Sequence, residues 1–188
     1  RVAQAQREVG LAVGEAPTTK GYTPSVFALL PRLLERTGTN EIGSITGLYS
    51  VLVEGDDLSD PVADSARSIL DGHIVLSRDL ANKGHYPSVD VLKSVSRLKT
   101  TIAKGESLKK INKIIELMSV YNDSEDLINI GAYSKGSNPN VDIAIQFMPI
   151  INQFLRQGIG ETTELSETLE VIQAIVNKIN QEESSSVT

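Results

Sequence analysis

Apolar positions in the first hundred residues switch between helical and strand-like spacing. Helical spacing predicts helices over residues 1–13, 22–35, 61–71 and 78–83. Pro31 is expected to end or kink the second of these helices. Short apolar runs at 43–53 and 73–77 predict buried strands, and a further short strand precedes Arg97. Because strands alternate with helices, this half of the chain is expected to be an α/β unit with a largely parallel sheet.

After Arg97 the pattern is helical throughout. We predict one helix over about 106–121 and another over 124–131, with Asp123 or Ser124 as its N-cap. A third helix should begin at Asn138–Pro139, because proline suits the first helical position, and Pro149 should kink it. The last helix carries an apolar stripe of Leu165, Leu169, Ile172, Val176 and Ile179.

This change of pattern predicts two domains, residues 1–100 and 101–188, with a soft boundary near 98–105. Residues 182–188 are polar and rich in serine, so they are expected to be disordered. The first residues read as a helical pattern without an apolar signal-peptide core. We therefore expect the chain to begin inside a larger protein.

Composition removes several classes of function. The net charge is -6 and no basic stripe stands out, which argues against nucleic acid as a partner. Cysteine is absent, so disulfides and thiolate metal sites are excluded. No apolar run approaches the roughly 18 residues that a transmembrane segment needs.

Motifs for several common chemistries are missing as well. His73 and His85 are isolated from carboxylates at ligand spacing, so we expect packing or hydrogen-bonding roles for them and no metal site. No Gly-x-Ser-x-Gly elbow is present. The run Gly158–Ile159–Gly160 lacks the following Lys-Ser or Lys-Thr and is therefore not a phosphate-binding loop.

Six segments nevertheless match sequence motifs of a known protein family. They are QREVGLA (6–12), GYTPSVF (21–27), GSIT (43–46), EGDD (54–57), LDGHIVLSR (70–78) and DLINIGAY (126–133). Together they resemble the ATPases of bacterial type III export systems, most closely the flagellar one, with F-type and V-type rotary ATPase subunits as more distant relatives. The resemblance implies the second half of a P-loop (RecA-like) ATPase domain with a mostly parallel sheet, followed by an all-helical C-terminal domain.

The resemblance also implies site residues. Arg97 matches the arginine finger that completes a neighbouring subunit's site, although a surface arginine at a strand end is the alternative. Tyr86 matches the residue that packs on adenine, although a Tyr-Pro turn packed on the core is the alternative. Tyr133 is expected near the other side of the base, and Arg1 near the phosphates.

The acidic turn Asp56–Asp57–Leu58–Ser59–Asp60 resembles the loop that faces the central stalk in the rotary relatives. Asp56, Asp57 and Asp60 are therefore expected to bind a basic coiled-coil partner. An ordinary turn in which Asp60 caps the helix at Pro61 is the alternative, and the two roles are compatible.

The resemblance implies ATP hydrolysis that powers flagellar protein export, with ATP and Mg²⁺ bound between subunits of a homohexamer. The implied partners are a central-stalk coiled-coil protein, a peripheral-stalk regulator and export chaperone–substrate complexes, at the inner face of the cytoplasmic membrane. A virulence-type secretion ATPase, a rotary subunit and a non-catalytic ring-packing fragment are the alternatives. Without a phosphate-binding loop, this chain alone is not expected to hydrolyse ATP.

Overall fold

The computed structural model describes residues 1–186. The chain divides into two compact units, one spanning residues 1–73 and the other beginning at Ile74. The division falls inside a strand, β3 (Gly72–Leu76). The boundary near residue 100 that the sequence pattern suggests stays a prediction.

The first unit is built on three helices, α1 (Val2–Ala12), α2 (Pro24–Leu34) and α3 (Pro61–Ile69). Ala3, Val26 and Leu30 are buried where α1 and α2 pack together, as expected from helices with one apolar face. The two helices approach closely at Gly10, because a Cβ there would collide with the side chain of the fully buried Thr23. Two short strands, β1 (Gly38–Thr39) and β2 (Ser44–Ile45), pair antiparallel.

The second unit begins with β3 and continues with α4 (Arg78–Asn82), β4 (Val89–Ser96) and α5 (Lys99–Ile102). Strands β3 and β4 form a two-stranded sheet. Three longer helices follow, α6 (Gly105–Asn129), α7 (Pro139–Leu155) and α8 (Leu165–Ser186). Their apolar faces enclose the main core, and Val91 of β4 packs against it. The core residues are Ile114, Leu117, Met118, Ile143, Ala144, Phe147, Ile151, Ile172, Ile175, Val176 and Ile179.

Most helix predictions are confirmed, since α1, α2, α3, α4, α7 and α8 lie where the pattern placed them. Asn138 caps α7, its side-chain oxygen accepting a hydrogen bond from the Asn140 amide at 3.0 Å. The helices α2 and α7 continue past Pro31 and Pro149, although α2 ends three residues later. Helix α8 extends through Ser186 and so includes residues 182–186 of the tail expected to be disordered, whereas residues 187–188 lie outside the described residues.

The prediction of a buried strand over 43–53 is wrong. Only Ser44 and Ile45 pair with another strand, and Leu48 and Leu52 are about nine-tenths exposed, at 92% and 90%. A strand needs a neighbour to satisfy its backbone N–H and C=O groups, and among the described residues 46–53 have none. Among the described residues the strands form two separate two-stranded sheets and not the single sheet that we expected. The expected fold class, an α/β part followed by an all-helical part, is confirmed, because strands and helices are mixed as far as β4 and only helices follow up to residue 186.

The prediction of a separate helix over 124–131 is also wrong, because α6 runs unbroken from Gly105 to Asn129. It ends in a Schellman motif, in which the Ala132 amide donates to the Leu127 carbonyl at 2.9 Å and the Gly131 amide to the Ile128 carbonyl at 3.1 Å. Gly131 has a φ of 71°, which glycine adopts without strain.

Candidate functional site

The aromatic–proline turn lies between α4 and β4. Ser77 caps α4 through its hydroxyl, and the Ser77 amide donates to the Ser88 carbonyl at 2.8 Å, which closes the segment on itself. Inside it, the His85 amide donates to the Leu80 carbonyl at 2.9 Å. His85 is buried at 5% exposure, whereas the next side chain, Tyr86, is 57% exposed. The histidine thus anchors the turn, and the tyrosine presents an aromatic ring to solvent.

The surroundings of His85 favour its neutral form. Burial lowers the pKa of its imidazole below the ordinary 6.5, and the positive charge of Arg156 lowers it further. A buried neutral histidine fits the packing role predicted from the sequence. The same arrangement places Arg156, at the C-terminal end of α7, in the electrostatic environment of the Tyr86 turn.

A main-chain hydrogen bond links this turn to the helical part of the chain. The Gln157 amide, just past the end of α7, donates to the Tyr86 carbonyl at 2.9 Å. Sequence reasoning missed Gln157, because a main-chain bond between residues so far apart leaves no side-chain pattern to read. It joins the backbone of the exposed aromatic to the segment that follows α7.

Arg97 directly follows the last residue of β4 and is exposed. The strand that precedes it contains local hydrogen bonds made by its own side chains. The Asp90 carboxylate accepts from the Lys93 amide at 3.1 Å, and the Ser94 hydroxyl donates to the Asp90 carbonyl at 2.6 Å. The same hydroxyl accepts from the Val75 amide of β3 at 2.9 Å. Ser94 therefore fixes β4 against β3 three residues before Arg97.

Tyr133 lies elsewhere. Its hydroxyl is 3.0 Å from both the Asn138 carbonyl and the Asp142 carboxylate, at the N-terminal end of α7. Tyr86 is tied to the residue that follows the other end of that helix. A helix of this length spans about 25 Å, so a base stacked on Tyr86 cannot also contact Tyr133 of the same chain. Tyr133 instead closes the α6–α7 loop.

Arg1 and the acidic turn both belong to the first unit. Arg1 is exposed before the start of α1, and its carbonyl accepts from the Ala5 amide at 2.9 Å. In the acidic turn, the Lys20 ammonium lies 2.8 Å from the Asp57 carboxylate and 3.7 Å from that of Asp60. Hydrogen bonding to Lys20, and to the Ser59 backbone, lowers the pKa of Asp57 below 3.8.

Asp60 has a second role in that turn. Its Oδ1 accepts from the Val62 amide at 2.9 Å and from the Ala63 amide at 3.3 Å, so it caps α3 as the sequence alternative stated. The Asp57 and Asp60 carboxylates thus both accept hydrogen bonds from backbone amides close to them in sequence.

Metal and membrane features are absent from the part of the chain that the structure describes. Over residues 1–186, no group of three or more His, Asp or Glu side chains is placed to hold a metal ion. Within the same residues, no helix combines the length and apolarity that crossing a bilayer would require.

Comparison with family models identifies both halves of the chain. Residues 1–96 match the ATP synthase alpha/beta family, nucleotide-binding domain, and residues 103–174 match the C-terminal domain of the type III secretion ATPase EscN.

Individual relatives agree with these matches. The flagellum-specific ATP synthase of Bacillus subtilis is 60% identical over 93% of this chain. The type 3 secretion system ATPase of Pseudomonas savastanoi pv. phaseolicola is 47% identical over 95%. This chain covers 40% of the length of each of these two proteins.

The fold is also that of a solved secretion ATPase. The structure of assembled EscN in complex with its central stalk EscO, from enteropathogenic E. coli, superposes with a TM-score of 0.81 at 40% identity. The match covers 93% of this chain and 41% of the EscN chain. The helical part, residues 103–174, is similar to the C-terminal domain of the type III secretion ATPase EscN. The chain as a whole belongs to the ATP synthase alpha/beta family.

Proposed function

We propose that this chain is part of an ATPase that powers protein export through a flagellar type III apparatus. The observation that carries the proposal is the 60% identity to a flagellum-specific ATP synthase over 93% of the chain. The lower identity of 47% to a virulence-type secretion ATPase favours the flagellar system over the virulence alternative.

In this proposal Tyr86 borders the nucleotide base. Its exposed ring directly follows the buried His85, so the ring face is accessible next to an anchored backbone. An aromatic face of this kind stacks on a purine. Arg1 is proposed to lie near the phosphates, as the resemblance implies.

Arg97 is proposed to act on the neighbouring subunit's nucleotide. A guanidinium placed at the transferring phosphoryl group stabilises the charge that develops in the transition state. The exposed position of Arg97, beyond a strand fixed by Ser94, supports a role outside its own subunit. This role requires a ring of copies, for which we propose a homohexamer.

The phosphates and Mg²⁺ need other residues. The chain has no phosphate-binding loop, and the described residues contain no carboxylate or histidine cluster suited to a metal ion. We propose that Mg²⁺ is bound mainly through the nucleotide phosphates and through residues of the longer ATPase that precede this chain's segment.

The test is Arg97→Ala in the full-length ATPase. Turnover should fall by about three orders of magnitude or more, the scale of arginine-finger losses, while ATP binding changes little. Arg97→Lys is the matched control, because it keeps the charge but loses the planar fork and should recover only part of the rate. Turnover equal to that of the parent enzyme would remove Arg97 from the mechanism.

We further propose that Asp56, Asp57 and Asp60 face a basic coiled-coil stalk protein. The complex of EscN with its central stalk EscO supports a partner of this kind. Because Lys20 already pairs with Asp57, a basic partner residue would have to compete with it. Asp57→Lys should weaken stalk binding in a titration, whereas Asp71→Lys, outside the turn, should not.

The remaining partners and the location follow from the same relationship. We propose that the helical domain, residues 101–188, receives chaperone–substrate complexes and that a peripheral-stalk regulator binds the same ATPase. The enzyme would work in the cytoplasm, at the inner face of the cytoplasmic membrane.

A further inference from the structure

A tight turn follows α7 and lies directly beside the Tyr86 contact. The Glu161 amide donates to the Gly158 carbonyl at 3.1 Å, which defines a four-residue turn over 158–161. Gly160, at its third position, has a φ of 81°, the value that a type II turn requires there and that glycine adopts freely. Ile159, at the second position, is fully exposed.

Glu161 closes this turn from both ends. Its carboxylate accepts a hydrogen bond from the Gly158 amide at 2.7 Å, a charge-assisted contact. Its carbonyl accepts one from the side-chain amide of Gln157 at 2.9 Å. One residue thus fixes both the turn and the residue that precedes it.

Gln157, which Glu161 fixes, also makes the main-chain hydrogen bond to Tyr86. The Gln157 amide donates to the Tyr86 carbonyl at 2.9 Å, so the closure made by Glu161 continues into the backbone that carries the aromatic ring. On the other side, burial of His85 limits the same backbone. The backbone that carries the ring is therefore held on both sides, by the buried His85 and by the 158–161 turn.

We propose that Glu161 is a positioning residue for the purine base: by closing the 158–161 turn it presents the Gln157 N–H to Tyr86 and so sets the affinity for the nucleotide. This inference rests on the proposed function, in which Tyr86 stacks on the base. Glu161 itself makes no contact with the reacting atoms.

This role makes a specific kinetic prediction. The base is remote from the phosphate bond that breaks, so stacking contributes equally to the ground state and the transition state. Loss of such uniform binding raises KM and leaves kcat unchanged. A residue with a general structural role would instead lower kcat through loss of active enzyme.

The experiment measures ATP hydrolysis by the full-length enzyme and by three variants of it. Two variants change Glu161, and the third changes Glu170 as a control. Glu161→Ala should raise KM for ATP by about three- to tenfold with kcat within about twofold of the parent. Glu161→Gln should recover much of the affinity, because its amide oxygen can still accept from Gly158. Glu170→Ala, an exposed glutamate on α8, should change neither constant.

Tyr86→Ala separates this inference from the function on which it rests. If Tyr86→Ala raises KM and Glu161→Ala adds nothing in that background, the two residues act as one unit and the inference stands. If Tyr86→Ala raises KM but Glu161→Ala does not, the positioning role is refuted and base binding by Tyr86 survives. If Tyr86→Ala leaves KM unchanged, base binding by Tyr86 fails and the inference fails with it. A fall in kcat at constant KM for Glu161→Ala also overturns it.

Discussion

Ser94 offers a direct test of how β4 is held in place ahead of Arg97. Its hydroxyl donates to the Asp90 carbonyl at 2.6 Å and accepts from the Val75 amide at 2.9 Å. Ser94→Ala removes both bonds while changing the volume of the side chain very little. We expect the β3–β4 pair to open more often and the position of Arg97 to become less defined.

The magnitude follows from the two bonds. Loss of the bond to Asp90 costs about 1 kcal/mol, and leaving the Val75 N–H without its side-chain acceptor costs about 1–3 kcal/mol. Ser94 is half-buried, so water can replace part of the loss, and we take about 2 kcal/mol as the total. A free energy of this size corresponds to about a 30-fold change in the local opening equilibrium.

Amide hydrogen exchange at Val75 reads this opening directly, because protection measures the free energy of local opening. We expect exchange about 30-fold faster in Ser94→Ala. Ser96→Ala is the matched control, since Ser96 is exposed on the same strand. Exchange at Val75 within twofold in both variants would refute the argument. In the full-length enzyme, turnover should fall in Ser94→Ala and stay constant in Ser96→Ala.

Three further predictions concern single side chains. Asn138→Ala removes the α7 cap and should lower the free energy of unfolding by about 1 kcal/mol, with Asn138→Asp as the restoring control in denaturant titrations. Since the folded-state pKa of His85 is lowered, the unfolded chain binds the proton more readily, and stability should fall as pH drops through 6.5; a His85→Gln variant lacking that slope in thermal melts would confirm the source. The lowered pKa of Asp57 contributes stability above 3.8 that is lost as pH falls through the folded value; Lys20→Met should move the Asp57 pKa upward in an NMR titration, and an unmoved pKa would contradict the pairing.

The helices could be predicted where local chemistry marks their ends. Pro61 and Pro139 occupy first helical positions behind Asp60 and Asn138, and both helices begin there. The rule that a capping residue marks a helix start gave a wrong prediction at Asp123, because no helix begins there. Asp123 is exposed on a helix that no glycine or proline interrupts before Gly131, so a potential cap is tolerated inside α6.

The run over 43–53 shows the limit of apolar patterns. Its β-branched residues favour extended backbone, but a strand also needs a partner, and that partner is a property of the fold. Leu48 and Leu52 are exposed as a result. A pattern of apolar residues therefore reports what could be buried, not what covers it.

The sequence allowed single residues of the candidate site to be predicted, but not the contacts that connect them. The exposure of Tyr86 and Arg97 agrees with the roles that the resemblance implied, although nothing in the fold tests those roles. The positions of Gln157 and Glu161 had no local signal. Helix α7 lies between Tyr133 and the Tyr86 turn, so the structure does not bring these two side chains together.

The link between Tyr86 and Gln157 has a consequence for how such enzymes diverge. Its donor and acceptor are both main-chain atoms, so nineteen of the twenty amino acids at position 157 keep the donor and only proline removes it. Selection can therefore preserve the main-chain link even where the side chain at position 157, which in this chain also donates to the Glu161 carbonyl, is replaced. A search for invariant residues in an alignment would therefore miss this hydrogen bond. The absence of proline at position 157 would be its signature in related sequences.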